Sequence, residues 1–297
     1  MTLRLLVTGR EGQVAQALLS LGGGDVQVTA LGRPVLDLTD PQTIRHAIDT
    51  YKPDIVVNAA AYTAVDKAEE DEAAAFAVNA QGAGHVAAAA AQAGIPIIQL
   101  STDYVFAGDK VEAYRETDAT GPQGAYGRSK LAGEAAVAAA NPAHAILRTA
   151  WVFGPYGNNF LKTMLRLAQT RDTLRVVADQ VGTPTYAPDI AAGILAVAER
   201  LVRAPAEHSG IFHMVAEGHT NWAGFAQEIF RQSRLAGGPA AAVEPIGTVD
   251  YPTPARRPAN SRLDTTRFAT RFDHRLPAWE TGVTRCLAAL NEAPAER

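Results

Sequence analysis

A single cysteine, Cys286, stands in 297 residues, so no intrachain disulfide can hold the fold and no oxidising compartment is called for. No basic surplus exists either: 27 Lys and Arg against 31 Asp and Glu leave a net charge of −4. That balance offers nothing to a nucleic-acid backbone or an anionic membrane surface. Long apolar runs are missing, since the most apolar stretch, Val86 to Ile98, is mostly alanine and is broken by Gln92, Gly94 and Pro96. It falls well short of the ~20 residues of a membrane span. The start, MTLRLLVTGR, lacks the apolar stretch of a secretory signal, and the expected location is the cytoplasm. Seven histidines are scattered without a His-x-x-x-His pair, and there is no cysteine cluster, so no tight transition-metal site is expected.

What the chain does have is the composition of an ordinary globular protein, with 47% hydrophobic and 20% charged residues, and about twice the commonest single-domain length. Short apolar runs alternate with segments of helical spacing. Strands are predicted at 3–8, 26–31, 54–58, 95–101 and 144–150, with helices at 13–21, 43–51, 71–93 and 126–140 between them. Parallel strands need crossovers of this kind, so the first half predicts an α/β, doubly wound parallel sheet of the Rossmann type. Beyond Trp151 the pattern loosens, with helices expected near 159–170 and 188–201, and predicts a smaller, irregular α+β lobe. Residues 236–259 hold five prolines and three glycines and read as an ordered loop over a site or a mobile lid.

Gly9-x-x-Gly12-x-x-Ala15 follows the first strand and opens the first helix. In that context Gly9 permits a tight turn, Gly12 lets backbone N–H groups approach a pyrophosphate, and Ala15 allows close packing of helix on strand. The second strand ends at Leu31-Gly32-Arg33. A carboxylate there would hold the ribose hydroxyl of NAD, whereas an arginine suits the 2′-phosphate of NADP, so Arg33 favours NADPH, with NADH as the alternative. Asp37 to Asp40 then place carboxylates close to where an adenine should lie, and Asp40 before Pro41 is equally a helix cap.

Tyr126 and Lys130, four positions apart at the start of a predicted helix, project from one face. A nearby ammonium favours phenolate and would bring Tyr126 closer to the working range of a general acid. Ser101 and Thr102 lie at the carboxyl end of the 95–101 strand, the edge where ligands bind in open α/β sheets, and a hydroxyl there can donate to a carbonyl. Together these groups describe a site for reducing a carbonyl with hydride from a nicotinamide. Among Arg256, Arg257 and Arg262, the last is the favoured contact for a diphosphate.

The segments TGREGQVA (8–15), LDLTDP (36–41), NAAAYTAVDKAE (58–69), STDYVFAG (101–108), YGRSKLAGE (126–134), RTAWVFG (148–154), DQVGTPTYAPDIA (179–191) and RPANSRLD (257–264) resemble the extended short-chain dehydrogenase/reductases, and within them the dTDP-4-dehydrorhamnose reductases. The resemblance implies reduction of the C4 ketone of dTDP-4-dehydro-L-rhamnose, a small-molecule nucleotide sugar. It makes Tyr126 the proton donor, has Lys130 hold the nicotinamide ribose and lower the tyrosine pKa, and has Thr102 polarise the ketone. Gly12, Gln13 and Val14 would meet the pyrophosphate, Asp37 and Leu38 the adenine, and Ala61, Tyr62 and Thr63 the ribose and phosphates. Thr102, Asp103 and Trp151 would touch the sugar nucleotide. On the same resemblance, residues 1–150 with a returning segment of about 184–205 form the dinucleotide-binding domain, and about 151–183 and 206–297 the substrate lobe. A homodimer with Mg2+ at its interface, of unknown ligands, is compatible with it. Dehydratases of this superfamily carry an Asp-Glu pair after the threonine; here Tyr104 stands in the glutamate's place, and the base for dehydration is missing. Two alternatives stay open: a reductase or epimerase of another nucleotide sugar, and a non-catalytic NADP-binding subunit like that of methionine adenosyltransferase.

Overall fold

A computed structural model describes residues 2–292. Leu5, Leu6 and Val7 in strand β1 (Leu3–Thr8) are all buried, which requires cover on both faces of the sheet. β1 pairs in parallel with β2 (Val26–Leu31) on one side and β3 (Ile55–Asn58) on the other. β4 (Ile97–Thr102) and β5 (His144–Thr149) continue the sheet, and Gly210–His213 adds a sixth parallel strand beyond β5. The order, from that strand through β5, β4, β3 and β1 to β2, reverses direction between β1 and β3, the place where open α/β sheets bind ligands.

One face is covered by α1 (Gln13–Leu21) and by the helix Ala187–Arg203, whose Ile190, Ile194 and Val197 pack with Leu5, Val7 and Leu18. On the other face lie α2 (Pro41–Tyr51), α5 (Ala83–Gln92) and α6 (Ala125–Ala140), through Ile44, Val86 and Val137 against Leu6, Val56 and Ile146. α2 starts as the sequence predicts: Asp40 accepts from the Gln42 N–H and Pro41 takes the first helical position. The helix expected over 71–93 forms as a continuous run, Glu72 to Gln92, with a change of winding inside it. α3 (Val65–Glu70) ends before it, α4 (Glu72–Phe76) begins at an Asp71 cap, and a π-helical turn, Ala77–Gly82, precedes α5. Alanine periodicity cannot reveal one extra residue in a turn.

The second lobe is α+β. Thr173–Val177 and Ala242–Ile246 pair in parallel, and the helices Phe160–Ala168, Trp222–Leu235 and Trp279–Glu292 enclose Phe153, Phe225, Ile229 and Cys286. The last two helices were not evident in the sequence. Residues 236–259 contact the rest of the fold at several points: besides the strand at 242–246, Thr248 bonds Asp179, while the Ala255 N–H and the Arg257 guanidinium both reach Asp66. No helix among the described residues is long and apolar enough to cross a membrane.

Candidate active site

Gly9 has φ of +81°, and a Cβ on it would stand 2.8 Å from the Ala60 Cα. Only glycine fits that turn. Gly12 supplies a cap without a side chain at the N-terminus of α1, leaving backbone N–H groups to face an anion. Together Gly9 to Gly12, Leu31 to Thr39 and Ala59 to Thr63 line a cleft of about 730 Å³, within the ~300–1,000 Å³ of small-molecule sites. A dinucleotide fits these residues, with a side-chain-free turn for its phosphates and a long cleft beside it. Arg33 lies exposed on the cleft wall together with Asp37, Leu38, Ala61, Tyr62 and Thr63. The Thr39 N–H and hydroxyl hold the Asp37 carboxyl below its ordinary range. Gln13 and Val14 are not on that wall: Gln13 bonds the Val152 carbonyl and Asn159, and Val14 is buried in the core. Only their backbone can serve a phosphate.

Several close approaches fix the helix that carries the tyrosine. Glu69 from α3 accepts the Ala125 N–H at 2.8 Å and caps α6. A Cβ on Gly127 would lie 2.3 Å from the Tyr104 carbonyl oxygen, and one on Gly133 2.0 Å from the Asn79 carbonyl oxygen. Glycine at these two positions lets α6 press against both neighbours. Asn79, in the π turn, accepts from the Tyr62 N–H, donates to the Tyr62 carbonyl and donates to Ser129 on α6. The cleft wall and the tyrosine helix are thereby tied together. The Tyr126 ring meets Tyr104 edge-on at 5.6 Å, and Tyr62 and Tyr126 pack against the same small core of Ala68, Ala75 and Ala125.

Burial pushes the Tyr126 phenol above its ordinary pKa and the nearby Asp103 charge adds to that, while the neighbouring Thr102 hydroxyl offsets only part of the rise. This differs from the expectation that Lys130 lowers it. The lysine's Nζ donates to the Leu100 carbonyl of β4 at 2.7 Å, so its charge is spent on the strand. Burial brings Lys130 itself down to about 8, with Glu134 pulling the other way.

Thr102, at the end of β4, donates to Asp103 Oδ1 at 2.9 Å and accepts from the Tyr104 N–H at 3.2 Å. Asp103 is 3% exposed; burial raises its carboxyl to about 6, against the opposing pull of the neighbouring Ser261 and Thr102 hydroxyls. Beneath them lies a network absent from the sequence reading. Glu134 accepts from Ser101 at 2.5 Å and from Arg148 at 2.9 and 2.6 Å, all buried. Its one available signal was spacing, since Glu134 follows Lys130 by a helical turn.

Trp151 adopts φ of +47° and stacks on Trp222, ring centroids 3.6 Å apart. A Cβ on Gly182 would come within 2.5 Å of its indole. Arg262 is not brought together with Thr102 and Tyr126: it bonds Asn260 and the Val111 carbonyl. Arg257 is the arginine near Tyr104, and it pairs with Asp66 at 2.7 Å. Among the described residues no three His, Cys, Asp or Glu side chains gather as a metal site.

The family profile described as "RmlD substrate binding domain" matches residues 3–292. The chain is 50% identical over 289 residues to a dTDP-4-dehydrorhamnose reductase of Sinorhizobium fredii, covering 97% of this chain and 98% of that protein. This chain belongs to the dTDP-4-dehydrorhamnose reductase family. Two solved dTDP-4-dehydrorhamnose reductases share its architecture. The Clostridium acetobutylicum structure superposes with a TM-score of 0.90 at 39% identity, over 97% of this chain and all (100%) of that one. The Bacillus anthracis structure, in complex with NADP, gives 0.89 at 34% identity over the same 97% and 100%. The position of Tyr104, where a dehydratase of the superfamily would carry its base, agrees with membership among the dTDP-4-dehydrorhamnose reductases.

Proposed function

We propose that the chain reduces the C4 ketone of dTDP-4-dehydro-L-rhamnose to dTDP-L-rhamnose with NADPH as reductant. One observation carries the reading: Tyr126, beside Thr102 at the carboxyl end of β4, shares a helix face with Lys130 and packs with Tyr62 of the dinucleotide cleft wall. When bound, the reduced nicotinamide supplies a hydride. Tyr126 gives its proton to the ketone oxygen as negative charge develops there. Its raised pKa keeps it protonated at neutral pH, and an alkoxide is basic enough to take the proton even so. Lys130, one turn further along α6, holds the nicotinamide ribose. Gly9 and Gly12 open the backbone to the pyrophosphate, with the backbone of Gln13 and Val14 behind them. Asp37 and Leu38 meet the adenine, and Ala61, Tyr62 and Thr63 the adjoining ribose and phosphates.

The preference for NADPH over NADH rests on Arg33, an exposed guanidinium on the cleft wall, matched to a 2′-phosphate by charge and geometry. The nucleotide sugar lies between a dinucleotide-binding unit (1–150 with about 184–205) and a substrate lobe (151–183 with 206–297). Trp151, steadied by Trp222, packs on it there. Loss of nicotinamide absorbance with dTDP-, UDP- and GDP-linked 4-ketosugars tests the reading. Rapid loss with the dTDP sugar is expected; a clear preference for the UDP or GDP sugar, or no oxidation with any of them, overturns it.

A further inference from the structure

We infer that Trp222 and Gly182 are positioning residues: they cover the two faces of the Trp151 indole, so that Trp151 meets the sugar nucleotide with the edge of its ring, its Nε1–H donating to an oxygen. The inference rests on the function proposed above and names how Trp151 makes its contact there. Trp151 leaves β5 two residues beyond Thr149, the partner of Thr102 across the sheet, so its ring belongs to the carboxyl edge where the ketone must lie. One face is taken by Trp222, whose ring centroid lies 3.6 Å away with the planes 10° from parallel, the separation of a closed stack. The other is taken by Gly182. A Cβ there would stand 2.5 Å from Cε2 of the indole, 2.7 Å from Cζ2 and 2.8 Å from Nε1. In the ring plane, a point that near Cε2 would be closer still to one of the two atoms bonded to it, so the glycine lies over the flat of the ring. No backbone fits inside the stack, and Gly182 therefore stands on the side away from Trp222.

The clamp is built as one piece. Val181 and Gly182 pair antiparallel with Asn221 and Thr220, directly before Trp222, so a single ladder sets both jaws. Trp222 spends its own Nε1–H on Gln180 Oε1 at 3.2 Å, and Gln180 in turn donates to Thr248 at 3.0 Å. Phe160 packs on Trp222 with ring centroids 4.8 Å apart. Trp151 has φ of +47°, a conformation that a bulky residue keeps only where its surroundings hold it. An indole N–H can only donate. That of Trp222 is committed, whereas that of Trp151 has no acceptor among the described residues and reaches solvent. The hydroxyl and phosphate oxygens of a sugar nucleotide are acceptors that suit this edge, while a ring in the ligand finds neither face of Trp151 open.

The chain has three tryptophans, Trp151, Trp222 and Trp279, so nitrogen-15 labelling of the full chain gives three indole N–H signals, assigned by their loss in Trp151→Phe and Trp222→Phe. On saturation with dTDP-L-rhamnose the Trp151 signal is expected to move downfield, as a new hydrogen bond requires, while that of Trp222 stays. Movement with dTDP alone puts the acceptor on the nucleotide, and movement with the whole molecule only puts it on the sugar; both support the inference. The stacked pair also couples the two indole transitions, and the resulting paired bands in circular dichroism should persist when ligand binds. Their loss on binding means that the ligand displaces Trp222 and takes a face, which overturns the inference. So does a Trp151 signal that no nucleotide sugar moves, whether dTDP-, UDP- or GDP-linked. A signal moved by the UDP or GDP sugar alone keeps the clamp and sinks the dTDP reading. In turnover, Trp151→Phe, Trp222→Ala and Gly182→Ala should each raise the KM for the ketosugar about three- to tenfold, the loss of one hydrogen bond, with kcat little changed. Trp222→Phe, which still stacks, should keep most of the wild-type affinity. A Trp222→Ala protein with the wild-type KM overturns the part given to Trp222.

Discussion

Glu134 makes the most exacting test of how the site is supported. Its side chain is 3% exposed and that of Arg148 2% exposed, and the carboxylate receives two hydrogen bonds from the guanidinium and one from Ser101. Glu134→Gln keeps the shape, removes the negative charge and leaves Arg148 buried with a proton it cannot shed. Stranding one member of a buried pair costs about 3–5 kcal/mol. At roughly 2 °C per kcal/mol for a chain of this size, the unfolding midpoint should fall by about 6–10 °C. Urea denaturation at unchanged m-value checks the free energy directly. Adding Arg148→Met should recover part of the loss, because the double variant buries no unpaired charge. Glu134 also holds the Lys130 pKa up, so its removal should move the alkaline limb of cofactor binding to lower pH. A Glu134→Gln protein within ~1 kcal/mol of wild type, the range of an exposed pair, would refute the reasoning.

Other outcomes follow from the same geometry. Tyr126→Phe should bind NADPH as wild type does, measured by fluorescence titration, while kcat falls about 10²- to 10⁴-fold, the range for a lost general acid; unimpaired turnover would discard the proton donor. Arg33→Ala should raise the KM for NADPH about tenfold, a charge-assisted hydrogen bond of ~1.5 kcal/mol, and leave that for NADH unchanged. Equal effects on both coenzymes would take Arg33 away from the 2′-phosphate.

Much of the sheet was readable because its signals are local. Leu3 to Thr8 is a mostly apolar run followed by Gly9, Asp40-Pro41 marks a helix start by side-chain chemistry, and Tyr126 with Lys130 shares a helix face by spacing alone. What escaped depends on partners far along the chain. The Glu134–Arg148 pair joins α6 to β5, and Arg257 reaches Asp66 across 191 positions; neither contact leaves a periodic trace. Arg262 and Arg257 look alike as sequence, and only the fold turns one to Val111 and the other to Asp66, near Tyr104. The effect of Lys130 on Tyr126 was misjudged for a similar reason, because proximity along a helix does not say which carbonyl competes for the ammonium.

The π turn at Ala77–Gly82 bears on how such chains can change length. A π turn amounts to one surplus residue in an otherwise regular coil, so shortening it by a residue restores ordinary 3.6-fold winding and leaves the helices on either side in phase. Removing Asn79 itself should therefore yield a protein that folds at near-native stability and has lost the clasp on Tyr62 and Ser129. Indels here would uncouple heritable activity from heritable shape, and a chain so trimmed would keep its scaffold for some other chemistry.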